Sequence, residues 1–157
     1  MTDRRQALAA LMLAPFATDA AIAAPAPASG EVGSRAWYDR YLAAFNAHDY
    51  PTYGAYYADD VAFSGQAATL VGRDKVLDFY RGVAAKLDEH VELLNFLGSP
   101  ILVAVEIRTT LHVREDWPDF RTGPLHKGDI RRSNNFAFYD IKDGRFTRVR
   151  SANFSHG

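Results

Sequence analysis

The second half of this chain alternates between apolar and polar residues in four long runs, and that alternation limits the fold more than any other feature. VELLNFLG, ILVAVEIRTTLHVR, DIRRSNNFAFYDI and RFTRVRSANFS all read as β-strands. Lys142-Asp143-Gly144 joins the last two and is a hairpin turn signal. The first half has a different period. Trp37, Tyr41, Ala44, Phe45 and His48 share one helical face, with Ser34 placed as N-cap. Asp49 caps a short second helix with an early Pro51, which runs through Tyr53, Tyr56 and Tyr57 to Asp59-Asp60. VAFSG and ATLVG then read as two short strands. Asp74 opens a third helix whose inward stripe is Val76, Tyr80, Val83 and Leu87. Helices followed by a meander of strands define an α+β layout. Three N-terminal helices packed on a strongly curved antiparallel sheet would form a cone enclosing a pocket.

The first thirty residues lie outside this pattern. Arg4-Arg5 precede the apolar run ALAALMLAPFA, and the small-x-small sites Ala21-Ile22-Ala23 and Ala26-Pro27-Ala28 follow. This resembles a twin-arginine export signal over residues 1–28, with a linker over 29–33 and the folded domain over 34–157. The apolar run is too short for a membrane span. Export implies a periplasmic or secreted location, and an uncleaved tail implies a cytoplasmic one. N-terminal sequencing of the native protein distinguishes them.

Composition excludes several chemistries. The 157 residues form one domain, and a formal charge of −1 offers no footprint for nucleic acid. There is no cysteine, hence no disulfide or thiol nucleophile. No His/Asp/Glu cluster has metal-ligand spacing, so neither metal nor cofactor is expected. Ten Phe, eight Tyr and two Trp suit a hydrophobic pocket and a packed core equally.

Three tyrosines, Tyr41, Tyr57 and Tyr80, fall where separate helices turn inward. Buried phenols need partners, and a linked set can present one O–H to developing negative charge. The segments that carry them, RYLAAFNAHD, YYADDVAF and LVGRDKVLDFYRG, together with FAFYDIKDGRFTRVRSANF, resemble the SnoaL-like branch of the nuclear transport factor 2-like superfamily. The resemblance covers residues 34–156, and its motifs are most similar to those of ketosteroid isomerases. It implies an oxyanion-stabilising role for Tyr41, with Tyr57 and Tyr80 hydrogen-bonded behind it. Asn135 stands where those enzymes carry a protonated aspartic acid, and its amide is an alternative donor. Gly65, in Phe63-Ser64-Gly65, stands where their general-base aspartate should be, which argues against steroid isomerisation by that route.

A replacement base is therefore needed. His112 is the first choice for the base that moves the proton, on the alternating face Glu106-Arg108-Thr110-His112, although the apolar face Ile101-Val103-Val105-Ile107 should turn toward the helices and leave His112 outside. His48, His126 and Asp129 are further candidates without a motif. Ser151 and Asn153 would add to a polar pocket floor, and Phe63 to its wall. Trp117, on the long loop between Glu115 and Gly128, is either part of a lid or an anchor for that loop. Phe136, Phe138 and Phe154 with the arginines of the last hairpin would suit a homodimer through the outer sheet face. The leading expectation is a cofactor-independent acid–base enzyme acting on a small hydrophobic cyclic or aromatic oxygenated molecule. The alternative is a periplasmic binding protein that kept the pocket and lost the chemistry. A third reading, an interaction module, would require no enclosed cavity.

Overall fold

In the computed structural model, residues 32–156 are described, so the expected export signal and most of the linker lie outside the described residues. Helix α1 spans Arg35–Asn46 and starts as its sequence dictates, with the Ser34 hydroxyl accepting the Trp37 N–H at 3.2 Å. Its buried face carries Trp37, Tyr38, Tyr41, Leu42 and Phe45. His48, in the left-handed region at φ 54°, ends the turn after α1. The single-turn helix α2, Tyr50–Gly54, follows and is capped by the Asp49 carboxylate on the Thr52 N–H.

Here the structure departs from the expected helix through Asp59-Asp60. Helix α2 stops at Gly54, where an added Cβ would lie 3.0 Å from the Leu77 side chain of the third helix. Tyr57 already belongs to strand β1, Tyr57–Ser64, and pairs with Phe146. Val61 and Phe63 are buried on the same strand, so the period of two overrides the helical tendency of YYADD. Strand β2, Thr69–Val71, completes a short hairpin with β1.

Helix α3, Arg73–Lys86, buries Val76, Leu77 and Val83. It ends one residue earlier than its apolar stripe suggests. Leu87 has extended backbone and pairs with Val113, so the helix passes directly into strand β3, Leu87–Ser99. Strands β4 (Leu102–Val113), β5 (Ile130–Lys142) and β6 (Arg145–His156) follow as an antiparallel meander.

The six strands form one open sheet in the order β2-β1-β6-β5-β4-β3. It is mixed, because β1 runs parallel to β6 while every other pair is antiparallel. That parallel contact is a consequence of the crossover from β1 through α3 and the meander back to β6. Register shifts interrupt the ladders at Leu93/Asn95, Asn134/Asn135 and Asp140/Ile141, and such bulges bend strands. The concave face carries Val103, Val105, Ile107, Ala137, Tyr139 and Ile141 against the helices. Phe146, fully buried, packs edge-on against Trp37 and Tyr41 at 5.2 and 5.0 Å between ring centres. A satellite cluster of Val83, Leu87, Val113 and Leu125 seats the long β4–β5 connection, with Trp117 and Phe120 packed on it. Among the described residues no helix is long and apolar enough to cross a membrane.

Candidate active site

Because the helices cover only part of the concave sheet, a cavity of about 530 Å³ remains between them. Helix α1 supplies Tyr41, Leu42 and Phe45, and helix α3 supplies Phe79, Tyr80 and Val83. The sheet supplies Glu89 and Val91 from β3, Ile107 and Thr109 from β4, and a polar patch from β5 and β6. An apolar lining with a few convergent polar groups is the usual form of a small-molecule site.

The phenols meet at one end of this cavity, but in a different set from the one expected. The Tyr41 and Tyr57 hydroxyls lie 2.7 Å apart in a buried hydrogen bond. Tyr38 donates to the Tyr139 hydroxyl at 3.1 Å, and the rings of Tyr41 and Tyr139 stand edge to face at 5.9 Å. Tyr80 is not part of this bonded set. It lines the same cavity, held edge-on against Phe45 at 4.9 Å and Phe63 at 6.0 Å. Its helix, α3, presents it to the aromatic side of α1, beside Tyr53 rather than behind Tyr41. Burial holds Tyr38, Tyr41, Tyr57 and Tyr80 protonated far beyond the usual phenol range. Tyr139 is raised by burial as well, but hydrogen bonds from Tyr38 and Tyr41 favour its anion and oppose that rise. Every phenol in the set is therefore a neutral O–H donor at physiological pH.

The remaining expected residues separate clearly. Asn135 is buried in the cavity wall, yet its amide protons donate to Thr109 and Ser133, both at 3.2 Å. Its carbonyl oxygen accepts from Gln66. Both amide hydrogens are thus engaged, so Asn135 organises the polar patch and has no hydrogen left for a ligand oxygen. Ser151, Asn153 and Phe63 line the cavity. His112 does not. It is exposed on the convex face of β4, where alternation opposite buried Val105 and Ile107 puts it. Trp117 packs in the satellite cluster with Lys86 over its ring at 5.4 Å, and its neighbour Phe120 reaches the cavity instead. Gly65 lines the wall as well, and a Cβ there would come within 3.0 Å of the Phe63 ring. An acid at that position would require Phe63 to move.

Sequence reasoning overlooked Glu89. It is the one carboxylate lining the cavity among the described residues. Its register partner is Leu111, and Leu87 and Val91 flank it on the same inward face. No hydrogen-bond or ion-pair partner holds it among the described residues. It is half-buried by surface area because it faces the hollow, while protein encloses that hollow. Burial alone pushes its carboxyl up to about 7. The signal was present as the alternation Leu87-Glu89-Val91, but it was hidden by assigning Leu87 to the preceding helix.

This shift has a measurable consequence for stability. An unfolded glutamate ionises at about 4.3, whereas folded Glu89 holds its proton to about 7. Between those values the folded state binds more protons, so stability falls as pH rises through the window and levels off above it. The slope is at most about 1.4 kcal/mol per pH unit, reduced by the residue's remaining exposure. Glu89→Gln should remove this component. Thermal melts followed by circular dichroism should show the variant gaining on the wild type between about pH 5 and about pH 8. A melting difference that is constant across that range would contradict the burial of this group.

A family model for the SnoaL-like domain matches residues 38–149. Solved structures of similar architecture include a candidate polyketide cyclase from a Silicibacter species, at TM-score 0.65 and 22% identity over 76% of this chain and 87% of that one. An LEH-like epoxide hydrolase from M. tuberculosis aligns at TM-score 0.59 and 18% identity, over 76% and 80% of the two chains. A protein with a ketosteroid isomerase-like fold from Catenulispora acidiphila, in complex with trimethylamine, aligns at 0.59 and 15%, over 75% and 85%. At these identities the likeness is one of fold, and the different activities in those names leave the reaction to be argued from the site. No protein of curated function matches the sequence. With the family model covering most of the described residues on this architecture, the chain belongs to the SnoaL-like domain family.

Proposed function

We propose that this protein is an acid–base enzyme of the isomerase, dehydratase, lyase or cyclase type. Its substrate is a small hydrophobic cyclic or aromatic molecule bearing a carbonyl or hydroxyl. The observation that carries this reading is the pairing of functions in one cavity: a partnerless carboxyl group poised near 7 and a bonded set of neutral phenols.

A general base works best when its pKa lies near the operating pH, and Glu89 is brought there by burial. In its ionised form it takes a proton from the carbon beside a substrate carbonyl. The electron pair moves onto the carbonyl oxygen, which becomes an enolate. Tyr139, on the cavity wall, accepts from Tyr38 and keeps its own hydrogen for that oxygen, and Tyr41 beside it donates there when Tyr57 supplies the hydrogen of their shared bond. Tyr41 is supported by its bond to Tyr57, and Tyr139 by the donor Tyr38. Protonated Glu89 then returns the proton to another carbon or to a leaving hydroxyl. Side chains supply every group in this scheme. Gly65 at the isomerases' base position was the feature favouring a binding protein, and Glu89 answers it with a carboxylate from a different strand.

The scheme sets the pH dependence. With a substrate identified by screening aromatic and cyclic ketones, kcat/KM should rise with pH through a midpoint near 7 as Glu89 ionises. Glu89→Gln should lower the rate by about 10²–10⁴-fold and abolish that limb, and Tyr41→Phe should lower kcat by roughly 10²-fold with the fold intact. Wild-type turnover by the Gln variant would exclude Glu89 as the base.

We also propose a homodimer through the convex face of the sheet. Phe136, Phe138 and Phe154 are exposed there, with Phe136 and Phe154 stacked at 4.3 Å and Arg150 over Phe138 at 5.6 Å. Aromatic and arginine side chains are enriched at such interfaces. Phe136→Asp should convert the dimer to monomer in sedimentation analysis. An unchanged sedimentation profile would place the contact elsewhere.

A further inference from the structure

Arg131 is a half-buried cation lining the cavity, next to exposed Arg132, which also lines it, and among the described residues it has no anion to meet. It sits on the concave face of β5 in the same register row as Leu111 of β4 and Glu89 of β3. Two strand spacings separate its backbone from that of Glu89, about 10 Å. Its guanidinium donates to the carbonyl of Pro124 at 2.8 Å and to those of Thr122 and Gly123 at 3.4 Å each. Among the described residues no carboxylate lies within ion-pairing distance of it. Elsewhere on the sheet, by contrast, Arg108 pairs with Glu92, and Arg148 and Arg150 pair with Asp140. Nor is Arg131 the partner of Glu89, whose carboxyl is raised by burial without any cation drawing it back.

The guanidinium of half-buried Arg131, balanced only by carbonyl dipoles, favours a full negative charge, and its planar fork matches a carboxylate in two parallel hydrogen bonds. The carbonyls it holds belong to the segment that brings Phe120 and Thr122 to the cavity, so the charge lies where that segment meets the hollow. The wall between Arg131 and Glu89 is apolar, formed by Leu111. We infer that the ligand of this cavity is an amphipathic acid whose carboxylate pairs with Arg131, whose apolar ring body lies over Leu111, and whose reacting carbon faces Glu89. The inference rests on the cavity being the substrate site, and it narrows the substrate class to ring compounds carrying a carboxylate.

Calorimetry on the full chain with naphthalene-2-acetate and naphthalene-2-acetamide separates charge from shape. The acetate should bind at least about ten-fold more tightly than the amide near neutral pH, and added salt should narrow the gap. Arg131→Gln should erase the preference, with the acetate losing at least about ten-fold in affinity and the amide losing less. Arg131→Lys, which keeps the charge without the fork, should retain part of it and carries the test if the glutamine variant does not fold. Equal binding of the two probes by the wild type, whether tight or absent, would overturn the inference. So would a preference undiminished in the Gln variant. Glu89→Gln should keep the preference for the acetate, so failure of Glu89 as a base and failure of Arg131 as the anion site give different results.

Discussion

Desolvation of one carboxyl group organises the account of this protein. A glutamate in water ionises well below neutrality, and moving it into a hollow lined by Phe45, Val83, Leu87 and Tyr80 penalises its charged form. Nothing among the described residues relieves that penalty at Glu89, neither an arginine nor a backbone N–H. The sheet enforces the placement, because buried Leu87 and Val91 on either side leave Glu89 no outward rotation without exposing them. The fold therefore holds a group that lowers its own stability at high pH, a pattern more often found at sites of chemistry than in cores selected for stability alone.

The phenols complement it from the opposite side of the same principle. Burial disfavours their anions, so they stay neutral and offer hydrogens where the carboxylate offers lone pairs. Their arrangement also decides which hydrogens are available. Tyr38 donates a hydrogen bond to Tyr139, and Tyr41 shares one with Tyr57, and of these four Tyr139 and Tyr41 line the cavity. Asn135 had the right position for a donor but the wrong bonds, since Thr109 and Ser133 take both its amide hydrogens. Proximity to a cavity and availability to a ligand are separate properties, and only the hydrogen-bond inventory distinguishes them.

Much of this architecture was legible in the chain. Alternation located β4, β5 and β6, and the side chains of Ser34 and Asp49 marked two helix starts where their caps are found. Alternation likewise argued for His112 on the outside, where it is found, against its choice as the base. The errors cluster at junctions, where two periods overlap. Tyr57 satisfies a helical spacing and a strand spacing at once, and only its pairing with Phe146 decides between them. Leu87 extends the stripe of α3 equally well, and giving it to the helix removed Glu89 from any inward face. Tyr139 was missed for another reason. It is an ordinary inward residue of a strand, and its meeting with Tyr38 joins positions 101 residues apart in the chain.

Carbon-13 NMR of the glutamate carboxyls, with Glu89 assigned by its Gln variant, reads the decisive quantity directly. A resonance that titrates with a midpoint near 7 is expected if the cavity desolvates this group. A midpoint near the free value of about 4.3 would mean that water or an unseen partner reaches the carboxylate, and the acid–base reading of this site would fail with it.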